Sequence, residues 1–222
     1  MHEYLKETSF LDYTHPSFDE FTKELKLENS SYKEIDIHLY YLVRDYFIYD
    51  PYHLDLTEKG LKASNVLSKR RAWCVEKSTV LAALARKSGI PSRLGYGIVT
   101  NHIGVEKLTV ILRRDEIVFH GYVELFIENK WVKCTPAFDE RICQLMKVTP
   151  LEWDGESDSL FQEFEAQQKF MEYLHFYGDF SDVPMKLMNA EMKKYYPHLF
   201  EEEYISRQFS FRHLWLLPQR DL

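Results

Sequence analysis

The chain has 222 residues and a net charge of −7, with 45% hydrophobic and 15% aromatic residues and only eight glycines and eight prolines. That composition supplies a core and excludes a disordered or low-complexity protein. The acidic balance excludes nucleic acid as the main partner, because phosphate binding needs a basic face.

The first half reads as helix. Asp19 to Leu27 is short and amphipathic, and Ser31 to Phe47 carries apolar Ile35, Ile37, Leu39, Tyr40, Leu42, Val43 and Phe47. Tyr49-Asp50-Pro51-Tyr52 breaks that pattern, since the residue before a proline is steered out of the helical region. Ala63 to Leu67 is a further short helix. The strongest helical signal follows Cys74, where Val75, Thr79, Leu81, Ala82, Leu84 and Ala85 give a broad apolar face. Arg86 and Lys87 suit its C-terminal end, Gly89 reads as the residue just past it, and Pro91 forbids continuation.

The period then changes. Arg93 to Thr100, Val105 to Leu112, Ile117 to Ile127 and Lys130 to Thr135 read as strands rich in β-branched and aromatic residues. Beyond Pro150 an acidic stretch precedes helix candidates at Gln167 to Tyr173 and Met185 to Tyr195. Helices followed by antiparallel strands predict an α+β class. One domain is expected over 1–222, with its core at about 31–140 and a C-terminal helical extension over 150–222.

Cys74 is the candidate nucleophile. It stands in Arg71-Ala72-Trp73-Cys74-Val75-Glu76-Lys77-Ser78 at the start of the best-signalled helix. There the positive end of the backbone dipole favours thiolate over thiol. A cysteine nucleophile needs a base, and of nine histidines His120 has the most useful position, within the strand Phe119 to Ile127. By alternation it shares a face with Tyr122, Glu124 and Phe126, while Val123, Leu125 and Ile127 share the other.

A tight turn near Glu128-Asn129-Lys130 makes a hairpin with Trp131 to Thr135. With Asn129 and Lys130 as the loop, His120 falls opposite Asp139. With Glu128 and Asn129 as the loop, it falls opposite Ala137, with Thr135 and Asp139 as diagonal neighbours. Either register allows a carboxylate at Asp139 to orient the imidazole. His102, in a loop between strands, is the rival base. Cys134 reads as core and Cys143 as structural. Asn65 could donate to an oxyanion together with the Cys74 N–H, although a helix-capping Ser64-Asn65 pair explains it as well. Trp73 either walls a pocket or fills the core.

Trp73-Cys74-Val75-Glu76-Lys77-Ser78, followed by Ala82 to Arg93 with its Gly89-Ile90-Pro91-Ser92-Arg93 turn, resembles the transglutaminase-like superfamily. So do His120 with Val123-Glu124 and Lys130-Trp131-Val132, and the lead-in helix Tyr41 to Asp50. Thr-Pro-Ala-Phe-Asp after the tryptophan is similar to a bacterial subgroup. The resemblance spans about Ser31 to Asp139 and implies a papain-like fold with a Cys-His-Asp triad. In the family an aspartate precedes the proline after the Trp-Val pair. Here that place is Thr135-Pro136, so the third member is Asp139 by a small chain shift, or Thr135, or absent.

The function expected from these residues is acyl-thioester chemistry on a peptide or carboxamide carbonyl, hydrolytic rather than cross-linking. The alternatives are an impaired binding module on the same scaffold and an acyltransferase. A peptide or protein substrate is expected, with no cofactor and no metal, since the three cysteines have no zinc-type spacing and no calcium loop is visible. No apolar run approaches the ~20 residues of a membrane span, and Met1 to Glu7 carries no export-signal core. With an odd, low cysteine number, this predicts a cytoplasmic protein.

Overall fold

The computed structural model describes residues 1–23, 25, 29–101, 106–160, 163–164, 168–169 and 171–201. Helix α1 (Pro16–Thr22) places a proline in its first turn, where no N–H partner is needed. Helix α2 (Tyr32–Tyr46) opens on a capping box. Glu34 N–H donates to Ser31 Oγ at 3.3 Å, and Ser31 N–H donates back to Glu34 Oε2 at 2.7 Å. The short strand β1 (Ile48–Tyr49) follows, then α3 (Glu58–Leu61) and α4 (Ala63–Leu67). Strand β2 (Arg71–Ala72) pairs parallel to β1 and delivers the chain to α5 (Cys74–Lys87).

Helix α5 is the hub. It is buried from Cys74 through Arg86, and a helix covered on every side must lie inside the protein rather than on it. It stops where the sequence says it should. Gly89 takes φ +81°, Ile90 N–H returns to Ala85 O at 2.9 Å, and Pro91 turns the chain into the sheet.

The sheet is antiparallel, in the order β5 (Lys130–Cys134), β4 (Glu116–Ile127), β3 (Ser92–Asn101), β8 (Met171–Phe180). Helices on one side and an antiparallel sheet against them make the α+β, papain-like class. The β4–β5 loop is Glu128-Asn129, with φ of +48° and +67°, and Ile127 pairs with Lys130. Positive φ at both loop residues matches the right-handed twist of the flanking strands. This is the second of the two expected registers. Strand β5 ends at Cys134, before Pro136, and Asp139 caps α7 (Glu140–Met146) instead of continuing the ladder.

Strand β4 carries a bulge. His120 pairs with Gly97 and Val118 with Ile98, which leaves Phe119 over, at φ +68°. Left-handed backbone is uncommon for a bulky residue, and such bulges re-aim side chains and increase local twist.

Two expectations fail. Val105 to Leu112 is not a strand: its described part is helix α6 (Glu106–Leu112). Leu108 and Leu112 are buried and four apart while Val110 is 77% exposed, so a helical face outweighs β-branched propensity. The described residues between Gln167 and Tyr173 are extended. Gln168–Lys169 is the short strand β7, which pairs with β6 (Glu163–Phe164), and Met171 begins β8. The C-terminal part is therefore not a purely helical extension, because β8 completes the main sheet. Helix α8 (Met185–Tyr195) lies where expected. Among the described residues no helix is long and apolar enough to cross a membrane.

Candidate active site

Cys74 is the first helical residue of α5, with Trp73 as its N-cap. Trp73 N–H is taken by Glu76 Oε2 at 3.3 Å, which fixes the entry to the helix. The Cys74 thiol points at the bulge of β4, with Sγ 3.9 Å from Phe119 O. The backbone N–H groups of Gly121, Val75 and Cys74 itself also act on the sulfur. The sulfur is thus bracketed by the backbone on both sides of His120. Gly121 permits this approach: a Cβ there would lie 3.0 Å from Val75 Cα and 3.3 Å from both Cys74 O and Ser78 Oγ. No sequence motif singles out Gly121 or the bulge beside it.

His120 is held by Thr135. The Thr135 hydroxyl lies 3.4 Å from His120 Nε2 and 3.2 Å from Gly121 O. Tyr40 O–H donates to Leu151 O at 2.8 Å and lies 3.3 Å from Thr135 O, so α2 packs behind the orienter. The imidazole also packs T-shaped against Tyr173 from β8, with ring centroids 5.7 Å apart and planes at 77°. Tyr173 also interacts electrostatically with the Cys74 sulfur, as do Tyr49 and Tyr96. The Tyr96 hydroxyl is buried without a hydrogen-bond partner among the described residues. This tyrosine collar carries no sequence signature.

Asp139 is not brought to the imidazole. Its Oδ1 accepts from Arg141 and Ile142 N–H at 3.2 and 3.3 Å, and its Oδ2 accepts from Tyr49 N–H at 2.7 Å. Its charge faces Lys77. The buried Lys77 ammonium donates to Arg44 O, Phe47 O and Ala137 O at 2.8, 3.3 and 2.7 Å. Asn65 turns its amide to Gly60 O at 3.5 Å, within the helical hairpin and not toward Cys74. Trp73 is buried in the core cluster, and its Nε1 has no partner among the described residues. Cys134 and Cys143 are buried thiols that form no disulfide among the described residues. His102 lies outside the described residues. Among the described residues no group of three or more His, Cys, Asp or Glu side chains could hold a metal ion.

A sequence model of the transglutaminase-like superfamily matches residues 19–136, more than half of the chain. The chain belongs to the transglutaminase-like superfamily. No curated protein sequence matches it significantly. A solved structure described as a "putative cysteine protease" from Cytophaga hutchinsonii is similar at 15% identity and a TM-score of 0.45. The match covers 60% of this chain and 40% of that one, so the chain spans less than half the length of its solved relative.

The electrostatics of this superfamily member differ from the sequence expectation of a favoured thiolate. Cys74 and His120 are each 2% exposed. Burial pushes the Cys74 thiol up to about 11 against the pull of the Gly121, Val75 and Cys74 N–H groups, and the Glu76 carboxylate adds to the rise. Burial likewise pulls His120 down to about 4. Desolvation penalises any charged form, and here it outweighs the helix dipole. Both groups are therefore neutral at pH 7, with the proton on sulfur. Among the described residues no hydrogen bond links the thiol to the ring.

Proposed function

We propose that the chain is a cysteine enzyme that acts on peptide or carboxamide carbonyls through an acyl-thioester, and that it passes the acyl group to water. The bracketing of Cys74 Sγ by the backbone on both sides of His120 carries this reading. Cys74 is the nucleophile and His120 the base. Thr135 orients the ring through Nε2, which leaves Nδ1 to take the proton. In the chemical step the sulfur bonds to the carbonyl carbon while the thiol proton passes to His120. The imidazolium then returns that proton to the departing amine, and water attacks the thioester with His120 again as base. The Cys74 N–H at the head of α5 faces the developing oxyanion. Cys74 and His120 are each 2% exposed, so turnover requires that the substrate carbonyl gain access to the pair. The entering polar groups then relieve the desolvation that keeps the pair neutral.

A second reading rests on a specific observation. A neutral thiol, a neutral imidazole and a threonine where a carboxylate would stabilise imidazolium suit a binding module that keeps the scaffold and has lost the chemistry. The discriminating experiment measures amine release from a panel of peptide amides by wild type, Cys74→Ser and His120→Ala, with a fluorescent primary amine present. Release abolished by either substitution, with little amine incorporated, supports the hydrolase. Dominant incorporation makes it a transglutaminase. Turnover that survives Cys74→Ser, or absent turnover with peptide binding intact in all three proteins, overturns the enzyme reading.

A further inference from the structure

Lys77 stands three residues along α5 from Cys74, a spacing that puts two residues on one helix face. Its backbone N–H donates to Trp73 O at 3.0 Å and closes the turn that holds Cys74. Its side chain is fully buried, and its ammonium meets three backbone carbonyls. Arg44 O and Phe47 O, at 2.8 and 3.3 Å, belong to the C-terminal end of α2. A helix leaves such carbonyls unpaired, and its dipole favours a cation there. The third acceptor is Ala137 O, at 2.7 Å. Three N–H donors meet three carbonyls, so the ammonium keeps no donor for a substrate and takes no part in proton transfer. Burial pulls it down to about 7, against the carboxylates of Asp139 and Asp45. An apolar side chain would avoid that cost and leave three buried carbonyls without this donor.

Ala137 is where Lys77 meets the other half of the site. It lies two residues past Thr135, across Pro136, which has no N–H to anchor. Thr135 N–H donates to Ser159 O at 3.2 Å, and Asp139 caps α7. Between those two anchors Ala137 O ties the segment to α5. The Thr135 hydroxyl at 3.4 Å from His120 Nε2 rides on that segment. We infer, on the reading that Cys74 and His120 react as a pair, that Lys77 is a positioning residue whose ammonium fixes the Thr135 segment, and through it the His120 ring, against the turn that carries Cys74. Nucleophile and orienter thus take their places from one side chain. The carboxylate that the sequence offers as an imidazole partner, Asp139, instead supplies charge opposite that ammonium.

The test compares wild type, Lys77→Met, Thr135→Val and the double variant at pH 6, where the ammonium is charged. Two rates are read well below the melting temperature of every protein: thiolation of Cys74 by methyl methanethiosulfonate, followed by peptide mass, and turnover of peptide amides. Lys77→Met keeps an apolar stem and lacks the ammonium. A 1 Å misplacement costs about 100-fold, so a smaller shift of the Thr135 segment should lower thiolation and kcat roughly tenfold, with KM unchanged. Thr135→Val lowers both rates by a similar factor, and the double variant lowers them no further. Wild-type rates in Lys77→Met beside a lower melting temperature make Lys77 a stability residue and overturn the inference. A further loss from Lys77→Met in the Thr135→Val background means that Lys77 acts on Cys74 by another route, and overturns it too. If Lys77→Met does not fold, Lys77→Gln, with two amide donors on a shorter stem, carries the same comparison. Failure of both to fold makes Lys77 a requirement of the fold and overturns the positioning role. A wild type without turnover whose thiolation shows the expected pattern removes the hydrolase and leaves Lys77 in place. Turnover that needs Cys74 and His120 yet is unchanged in Lys77→Met removes Lys77 and leaves the hydrolase standing.

Discussion

Substituting Gly121 by alanine tests the closest approach in the site. The added Cβ would sit 3.0 Å from Val75 Cα and 3.3 Å from Cys74 O and Ser78 Oγ. Comfortable carbon contacts lie at about 3.5–4.0 Å, so strand and helix must separate by roughly 0.5 Å. Two effects compete. Replacing glycine restricts the unfolded chain and stabilises by about 0.4–1 kcal/mol where the backbone allows it. Overpacking costs about 1–3 kcal/mol. The obstructing atoms include backbone in the first turn of a helix buried from Cys74 to Arg86, which cannot rotate aside as a flexible side chain would. The steric cost therefore wins, by about 1–2 kcal/mol. For a chain of this size that lowers the melting temperature by roughly 2–8 °C. Because the displacement falls between Cys74 and the strand of His120, turnover falls further than stability does. A 1 Å misplacement costs about 100-fold, so a roughly tenfold loss is expected. Calorimetry and peptide-amide turnover read the two effects. A variant that melts at or above wild type with full turnover would refute the close packing and the bracketed sulfur with it.

Two further outcomes follow from the same geometry. His120 titrates at about 4 when folded, below its ordinary 6.5, so the unfolded chain takes the proton first. Its stabilising contribution is present above pH 6.5 and is lost as pH falls toward 4, by about 2 kcal/mol between pH 6.5 and 4.5. Urea unfolding of His120→Gln should lack that part of the slope, and an unchanged slope would place the ring in water. Thr135→Asp puts a carboxyl at the hydroxyl 3.4 Å from Nε2 and should raise the His120 titration by about 1–3 units, read by histidine NMR. A fixed midpoint would mean that Thr135 does not hold the ring.

Much of the scaffold was legible because local chemistry and tertiary environment agree there. Helix α5 and its Gly89-Ile90-Pro91 exit, the α4 and α8 segments and the β4–β5 hairpin all carry their own terminators. The register was narrowed to two, and the positive φ of Glu128 and Asn129 selects one. Helix α6 and strand β8 were misread where β-branched composition or a mixed pattern gave no period. The site was legible in its residue types and less so in their partners. The address of Cys74 was right, yet its acidity depends on burial, which no local pattern states. Asp139 stands directly before Glu140 and the apolar Ile142 and Cys143, a helix-cap signal that competes with any catalytic role. Phe119 carries a backbone conformation that its residue type does not announce.

The central claim is that Cys74 carries an acyl group during turnover. Incubating the protein with an activated ester, quenching in acid and mapping the adduct by peptide mass tests this most directly. The account predicts one acyl group, on Cys74, formed more slowly in His120→Ala and absent in Cys74→Ser. An adduct that persists in Cys74→Ser, or an acyl group found on Cys134, Cys143 or lysines but never on Cys74, would contradict it.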